Sequence, residues 1–370
     1  MSDGHKAPLT GVETRMTRRS LLLSLPAAAM ARSLLQAQGT PGTLKLRALN
    51  HMTVNVRDPK RSIEFYQGLF GMPIQSRQGN STTQLRVGPG PQYMSIGGGG
   101  ANATPGISHY CVTVDDFSVD RVLRVLAEHG VQRVEGTGGG GLSGGAMKVR
   151  VRMRGPEVGG APGGTPEIYV GDPDGIIVQI QDPKYCGGGG VLGDVCDPNP
   201  PAVKGLIALK EYSHFTITSS DGAKTTAWFR SIFGAPIRSF QGPTAPTVAI
   251  GPGVAFMMFT GGGGAGRAGA PPAPPRQPSI NHVCFSLENF NPDQVIKTLE
   301  GVGIKPRESQ TGPVQPMRHY ISMRMENRGG APGGTPELYF TDPDGILVQL
   351  QDVKYCGGGG FLGDTCPPIA

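Results

Sequence analysis

The sequence predicts an α+β fold of four βαβββ modules arranged in two pairs, and three observations carry that prediction. The stretch from Thr165 to Cys196, TPEIYVGDPDGIIVQIQDPKYCGGGGVLGDVC, returns 170 residues later from Thr335 to Cys366 with 8 of 32 positions changed, so the chain is built twice. Within each half, two alternating strand patterns each carry one histidine at the same place, His51 and His109, then His214 and His282, and each leads into a helical pattern. The 59 glycines and 34 prolines among 370 residues favour turns and short strands over long helices.

Taken in order, residues 1–45 read as an export signal and N-terminal linker. Thr17-Arg18-Arg19-Ser20 precedes the apolar run Leu21 to Ala31, and Ala29-Met30-Ala31 has the small-x-small form of a cleavage site. This twin-arginine-like segment predicts an exported, periplasmic or extracellular protein; an ordinary secretory signal is the alternative. The run is too short for a stable membrane anchor, which needs about 20 apolar residues.

The first pair of modules occupies 46–196. The strand LNHMTVNV leads to a helix opening at Asp58-Pro59 and stopping at Gly71, with Ile63, Tyr66 and Phe70 on its core face. Short strands follow to about Ile96. ISHYCVTV opens the second module, whose helix ends at Gly130. A hairpin turning at DPDG closes it, with glycine where a positive φ is required. After the turn, Ile177, Gln179 and Gln181 share one face and Ile176, Val178 and Ile180 the other. Residues 197–204, DPNPPAVK, read as a short stiff linker, and 205–370 replay the plan, with Trp228, Phe229 and Phe233 on the third helix and Val295, Ile296 and Leu299 on the fourth.

Composition narrows the partners. The formal charge is +6, of which residues 1–31 supply +2, so no nucleic-acid partner is indicated. Lys148, Arg150, Arg152 and Arg154 alternate along one strand and read as a solvated face. The GGGG runs lack the strand-to-helix context of a phosphate cradle. Cys186 with Cys196, and Cys356 with Cys366, are spaced to close local disulfides in an oxidising compartment; a metal clip would lack the usual close ligand pair. Cys111 and Cys284 read as buried thiols.

In each histidine strand the alternate positions are small and polar while Met, Val, Phe and Ile take the other face, a pattern that lines a cavity. Two imidazoles from paired strands with an oxygen donor from a third make a three-ligand site with open positions. The segments LNHMTVNVRDPKRSIEFYQGLFGMPI, ISHYCVTVDD, YSHFTIT and INHVCFSLEN, with the two DPDG hairpins, resemble the vicinal oxygen chelate superfamily of glyoxalases, bleomycin-resistance proteins, fosfomycin-resistance enzymes and extradiol dioxygenases. The resemblance covers residues 46 to 352 and implies two glyoxalase/dioxygenase-like domains, each a cup of paired modules. It implies metal ligation by His51 with His109 and by His214 with His282. The superfamily's glutamate, four residues past the DPDG glycine, falls here on Gln179 and Gln349. Tyr169 and Tyr339 stand where extradiol enzymes place an active-site tyrosine, although the histidine that precedes it in those enzymes is absent. His319 is a candidate acid or base in the second cup, with a surface or core-edge histidine as the alternative. Glu167 and Glu337, on the tyrosines' face, are candidates to replace a missing base or to form a salt bridge.

These readings together give a divalent-metal enzyme (Fe, Mn or Zn) acting on a small oxygenated molecule. Its reaction would be of the dioxygenase type or, as the sister expectation, the glyoxalase type. A metal-free protein that sequesters a small molecule, as bleomycin-resistance proteins do, is the rival. Subunit association leaves no mark in the sequence.

Overall fold

The computed structural model describes residues 42–368, apart from 101, 137–139, 199, 244 and 262–276. The export segment predicted over 1–45 therefore lies almost wholly outside the described residues. The first half runs β1 (Leu46–Val56), α1 (Pro59–Phe70), β2 (Ile74–Gln78), β3 (Thr82–Arg86), β4 (Tyr93–Gly98), β5 (Gly106–Val114), α2 (Val119–Glu128), β6 (Gln132–Arg133), β7 (Lys148–Arg154), β8 (Thr165–Gly171) and β9 (Ile177–Gln181). The second repeats it as β10 (Glu211–Ser219), α3 (Gly222–Phe233), β11 (Ile237–Phe240), β12 (Pro246–Ala249), β13 (Phe256–Gly261), β14 (Ser279–Leu287), α4 (Pro292–Gly301), β15 (Lys305–Pro306), β16 (Arg318–Arg324), β17 (Thr335–Thr341) and β18 (Leu347–Asp352).

Each half forms one nine-stranded mixed sheet, in the orders β2-β3-β4-β1-β5-β9-β8-β7-β6 and β11-β12-β13-β10-β14-β18-β17-β16-β15. The fold is thus the predicted α+β arrangement of paired modules, with a two-residue edge strand (β6, β15) added to the second module of each pair. The four α-helices among the described residues each begin on a capping side chain: Asp58, Ser118, Asp221 and Asn291 accept from the backbone N–H three residues on. This satisfies a donor that the first turn leaves free. The DPDG glycines, Gly175 and Gly345, have φ of 83° and 87°, and Asp172 and Asp342 accept the backbone N–H groups of the turn through Oδ1.

Period two decides what each sheet face meets. Met52, Val54, Tyr110 and Val112, like Phe215, Ile217, Val283 and Phe285, are fully buried on the helix side. There the two sheets share one hydrophobic core. Phe70 of α1 packs on Phe285 and Phe340 of the other half, with ring centroids 6.1 and 6.0 Å away, and Tyr110 stacks on Phe215 at 5.4 Å. The halves also grip each other's hairpin turns. Asp344 accepts from Arg57 N and from Arg61 Nη2 at 2.7 Å, while Asp174 accepts from the backbone N–H and hydroxyl of Ser220. The stretch between the sheets is itself tied to the first, since Leu206 N and Ile207 N both donate to Leu69 O. Among the described residues no helix is long and apolar enough to cross a membrane.

Candidate functional site

The concave face of each sheet gathers the polar residues. His51 lies on β1 and His109 on β5, whose antiparallel register sets Thr53 opposite His109 and His51 opposite Cys111. β9 lies alongside β5 with Gln179 beside Cys111. Three adjacent strands therefore present two imidazoles and an amide on one face. The imidazole Nε2 atoms of His51 and His109 lie 3.0 and 3.2 Å from Gln179 Oε1. In the second sheet His214 Nε2 lies 3.1 Å from Gln349 Oε1, and the rings of His214 and His282 are 5.5 Å apart. The sequence-predicted trios His51, His109, Gln179 and His214, His282, Gln349 are thus brought together in both cups. Among the described residues no group of three or more His, Cys, Asp or Glu side chains is placed to hold a metal ion, and the third polar group beside each histidine pair is an amide.

The outer nitrogens of the rings are held as well. Asn50 Nδ2 donates to Tyr185 O at 2.8 Å, which turns Asn50 Oδ1 to His51 Nδ1, also at 2.8 Å. That nitrogen must carry the proton, and His51 Nε2 is left with its lone pair facing Gln179 Oε1. Asn281, which is exposed, likewise places Oδ1 2.8 Å from Nδ1 of His282, whose buried Nε2 has no hydrogen-bond partner among the described residues. Ser108 and Ser213 sit against Nδ1 of His109 and His214. The Asn-His and Ser-His strands are exchanged between the two cups. Burial lowers the pKa of all four imidazoles, most for His51 and His214, whose neighbours His109 and His282 add to it, and brings His109 and His282 to about 4. All four are neutral near neutral pH. Tyr93 stacks on His51 at 4.3 Å and Phe256 on His214 at 4.4 Å, which fixes the ring planes.

Behind each trio lies a saturated ion pair whose arginine sequence reasoning missed. Arg154, fully buried, donates Nε to Glu167 Oε1 at 2.6 Å, Nη1 to Gly159 O and Nη2 to Gly188 O, both at 2.8 Å. Glu167 also accepts from the hydroxyls of Tyr169 and Tyr185. Arg324, Glu337, Tyr339 and Tyr355 repeat the arrangement. A buried ion pair holds without penalty only when its remaining donors and acceptors are met, and here they are. Glu167 and Glu337 are accordingly structural carboxylates, and of their two sequence readings the salt bridge holds. The reading of the Lys148 to Arg154 stripe as a solvated face fails at Arg154, because this face of β7 is the wall of the cup. The missed signal was the exact repeat of Arg 13 residues before Glu in both halves.

Tyr169 and Tyr339 flank the trios, edge-on to His109 and His282 with ring centroids 5.4 and 5.3 Å away. Burial, and then the adjacent glutamate, raises the pKa of both phenols. His319 is not brought into the second cup. In the β16–β17 register Tyr320 faces Tyr339 on the concave side, so His319, opposite Phe340, points to the helix side, with Nε2 3.3 Å from Glu300 Oε1 of α4. It is a core-edge histidine. The spacing-based disulfides are present, Cys186–Cys196 and Cys356–Cys366, while Cys111 and Cys284 are buried free thiols.

The first cup opens into a cavity of about 170 Å³ that reaches the trio and Tyr169. A larger groove of about 490 Å³ runs between 206–210 and α4, but no imidazole or amide trio converges on it.

The family model described as Glyoxalase/Bleomycin resistance protein/Dioxygenase superfamily matches residues 48–180 and 211–350, and the chain belongs to that superfamily. The glyoxalase domain-containing protein RDO1 of Mycosarcoma maydis is 27% identical over 151 residues, which cover 38% of this chain and 73% of that protein. Homoprotocatechuate 2,3-dioxygenase from Arthrobacter globiformis superposes with a TM-score of 0.54 at 17% identity, covering 85% of this chain and 81% of the enzyme. A variant of the B. fuscum enzyme of that name gives 0.54 at 16% identity over 85% and 74% of the two chains. At these identities the likeness is one of fold.

Proposed function

We propose that the chain is an exported, divalent-metal enzyme of the dioxygenase type, or its glyoxalase-type sister, acting on a small oxygenated molecule, with domains 46–196 and 205–370 joined by 197–204. The observation that carries the reading is the meeting of two neutral imidazoles and an amide oxygen in both cups. With the proton of His51 held at Nδ1 by Asn50, its Nε2 lone pair lies 3.0 Å from the Gln179 amide, and Nε2 of His282 and the amide nitrogens of Gln179 and Gln349 are buried without a hydrogen-bond partner among the described residues. Donors so arranged fit a cation of the Fe, Mn or Zn class. Such an ion, when bound, supplies Lewis acidity to a ligand's oxygen.

The chain's own residues do the rest. Asn50 keeps the proton on the outer ring nitrogen of His51, Tyr93 and Phe256 hold the ring planes, and burial keeps the imidazoles neutral donors. Tyr169 and Tyr339 line the cup beside a bound ligand, with their protons held on Glu167 and Glu337. Because both glutamates are already neutralised by arginine and the trio carries no charge, charge compensation is left to the ligand, which favours anionic oxygens. The two disulfides fit the oxidising compartment that an exported protein reaches.

Elemental analysis after reconstitution tests this: about one equivalent of metal is expected per intact cup, with loss of one in His51→Ala/His109→Ala and of the other in His214→Ala/His282→Ala. Oxygen uptake with catechols and 2-oxoacids then separates the dioxygenase from the glyoxalase reading. Less than about a tenth of an equivalent of any transition metal would remove both. That outcome would leave the sequestration protein, a reading that the amide in place of a carboxylate in both cups supports.

A further inference from the structure

The two cups share their trio and their ion pair but not their walls, and the difference bears on what each holds. At the mouth of the first cup β7 places Arg152 opposite Glu167 in register, and the matching position of the second cup is Ser322, opposite Glu337. Arg152 lines the 170 Å³ cavity. Among the described residues it makes no hydrogen bond or ion pair, in contrast to Arg154 two residues on.

The rest of the wall follows suit. Ser95, opposite Thr53, becomes Met258 opposite Thr216, and Tyr93, opposite His51, becomes Phe256 opposite His214. Gln78 and Thr82 add further polar groups to the first cavity. In the second cup Tyr320 lies flat on Tyr339 at 5.0 Å, so an aromatic face stands where the first cup has a cationic strand.

An unpaired guanidinium over a cavity whose only described carboxylate is already neutralised is a fork for an anion. The volume matches a cavity of about 150 Å³ that accepts benzene, so a single six-membered ring fits. We propose that the first cup is the site for a small hydroxylated organic carboxylate, anchored through its carboxylate by Arg152 with its oxygens turned to the trio, and that the second cup lacks this selectivity. The proposal deepens the reading of the cups as sites for small oxygenated molecules and rests on it.

Calorimetric titration of the full chain with 3,4-dihydroxybenzoate and, separately, catechol isolates the carboxylate. The expected result is one site per chain that prefers the carboxylate at least about tenfold, and in Arg152→Gln a fall to within about threefold of catechol. Ser322→Arg is the complementary variant and is expected to raise carboxylate affinity at a second site, which a merely unfolded Arg152→Gln sample cannot mimic. Equal affinity of the two probes in the wild type, or an unchanged preference in Arg152→Gln, overturns the proposal. Metal content is measured on the same samples. Carboxylate preference without metal uptake removes the enzyme and keeps the anion site, whereas metal uptake without preference does the reverse.

Discussion

At the scale of single residues, the cups work by leaving few polar atoms free to choose. Asn50 is fixed by Tyr185 O and fixes His51; Glu167 is fixed by one arginine and two tyrosines. Asp172, at the hairpin turn, is the counter-example, since its Oδ2 is buried without a partner and burial raises its pKa to about 6. A carboxyl raised in the folded state binds its proton more tightly there than in the unfolded chain. Its contribution is therefore most favourable below about pH 4, the unfolded value, and is lost as pH rises through about 6. Asp172→Asn keeps the amide oxygen that accepts the turn's N–H groups and cannot ionise. In urea titrations the variant is expected to be more stable than the wild type at pH 7, on the order of 2 kcal/mol, with the gap closing toward pH 4; a gap independent of pH contradicts this. The four histidines were legible in the sequence because alternation and fourfold recurrence mark one face of a strand. Arg154 was not, because its partners Glu167, Gly159 and Gly188 come together only through the folded tail, and its neighbours in the strand made it look like surface.

At the scale of elements, the hairpin sets where Gln179 and Gln349 fall, and it does so through one glycine in each half. Gly175 needs a φ of 83°, which an L side chain adopts at a cost of about 1–2 kcal/mol. Gly175→Ala is expected to lower stability by that amount in chemical denaturation. Gly163→Ala, where an added Cβ meets nothing within 4 Å and no positive φ is required, should be neutral or slightly stabilising by restricting the unfolded chain. Equal effects at the two positions would defeat the argument. Helix ends and hairpins were readable because Asp, Ser, Asn and Gly act within three or four residues of themselves. The placing of His319 was not, because the register of β16 against β17, rather than the alternation along either strand, decides which of His319 and Tyr320 enters the cup.

At the scale of the whole molecule, the internal repeat suggested two independent cups, yet Phe70 of α1 packs on the sheet of the other half, Tyr110 stacks on Phe215 across the two sheets, and each half holds the other's turn. No periodicity in one sequence segment states which distant face its apolar stripe will meet, so the shared core emerged only with the fold. Asp344, nearly buried, takes Arg57 and Arg61 from the opposite half. Asp344→Ala is expected to cost about 1–3 kcal/mol, the loss of charge-assisted bonds. The protein should still unfold in a single transition by both fluorescence and circular dichroism, because the halves share one core; two separated transitions would show that they do not. The tails after β9 and β18 carry a last consequence. Gly188 and Gly358, inside the disulfide-closed loops, hold the guanidinium groups that hold the cup carboxylates. A thiol reagent in the buffer is thus expected to loosen the wall of each cup from behind, by opening a ring whose inner sulfurs, Cys186 and Cys356, are buried, so preparations made with and without reductant should be assayed separately.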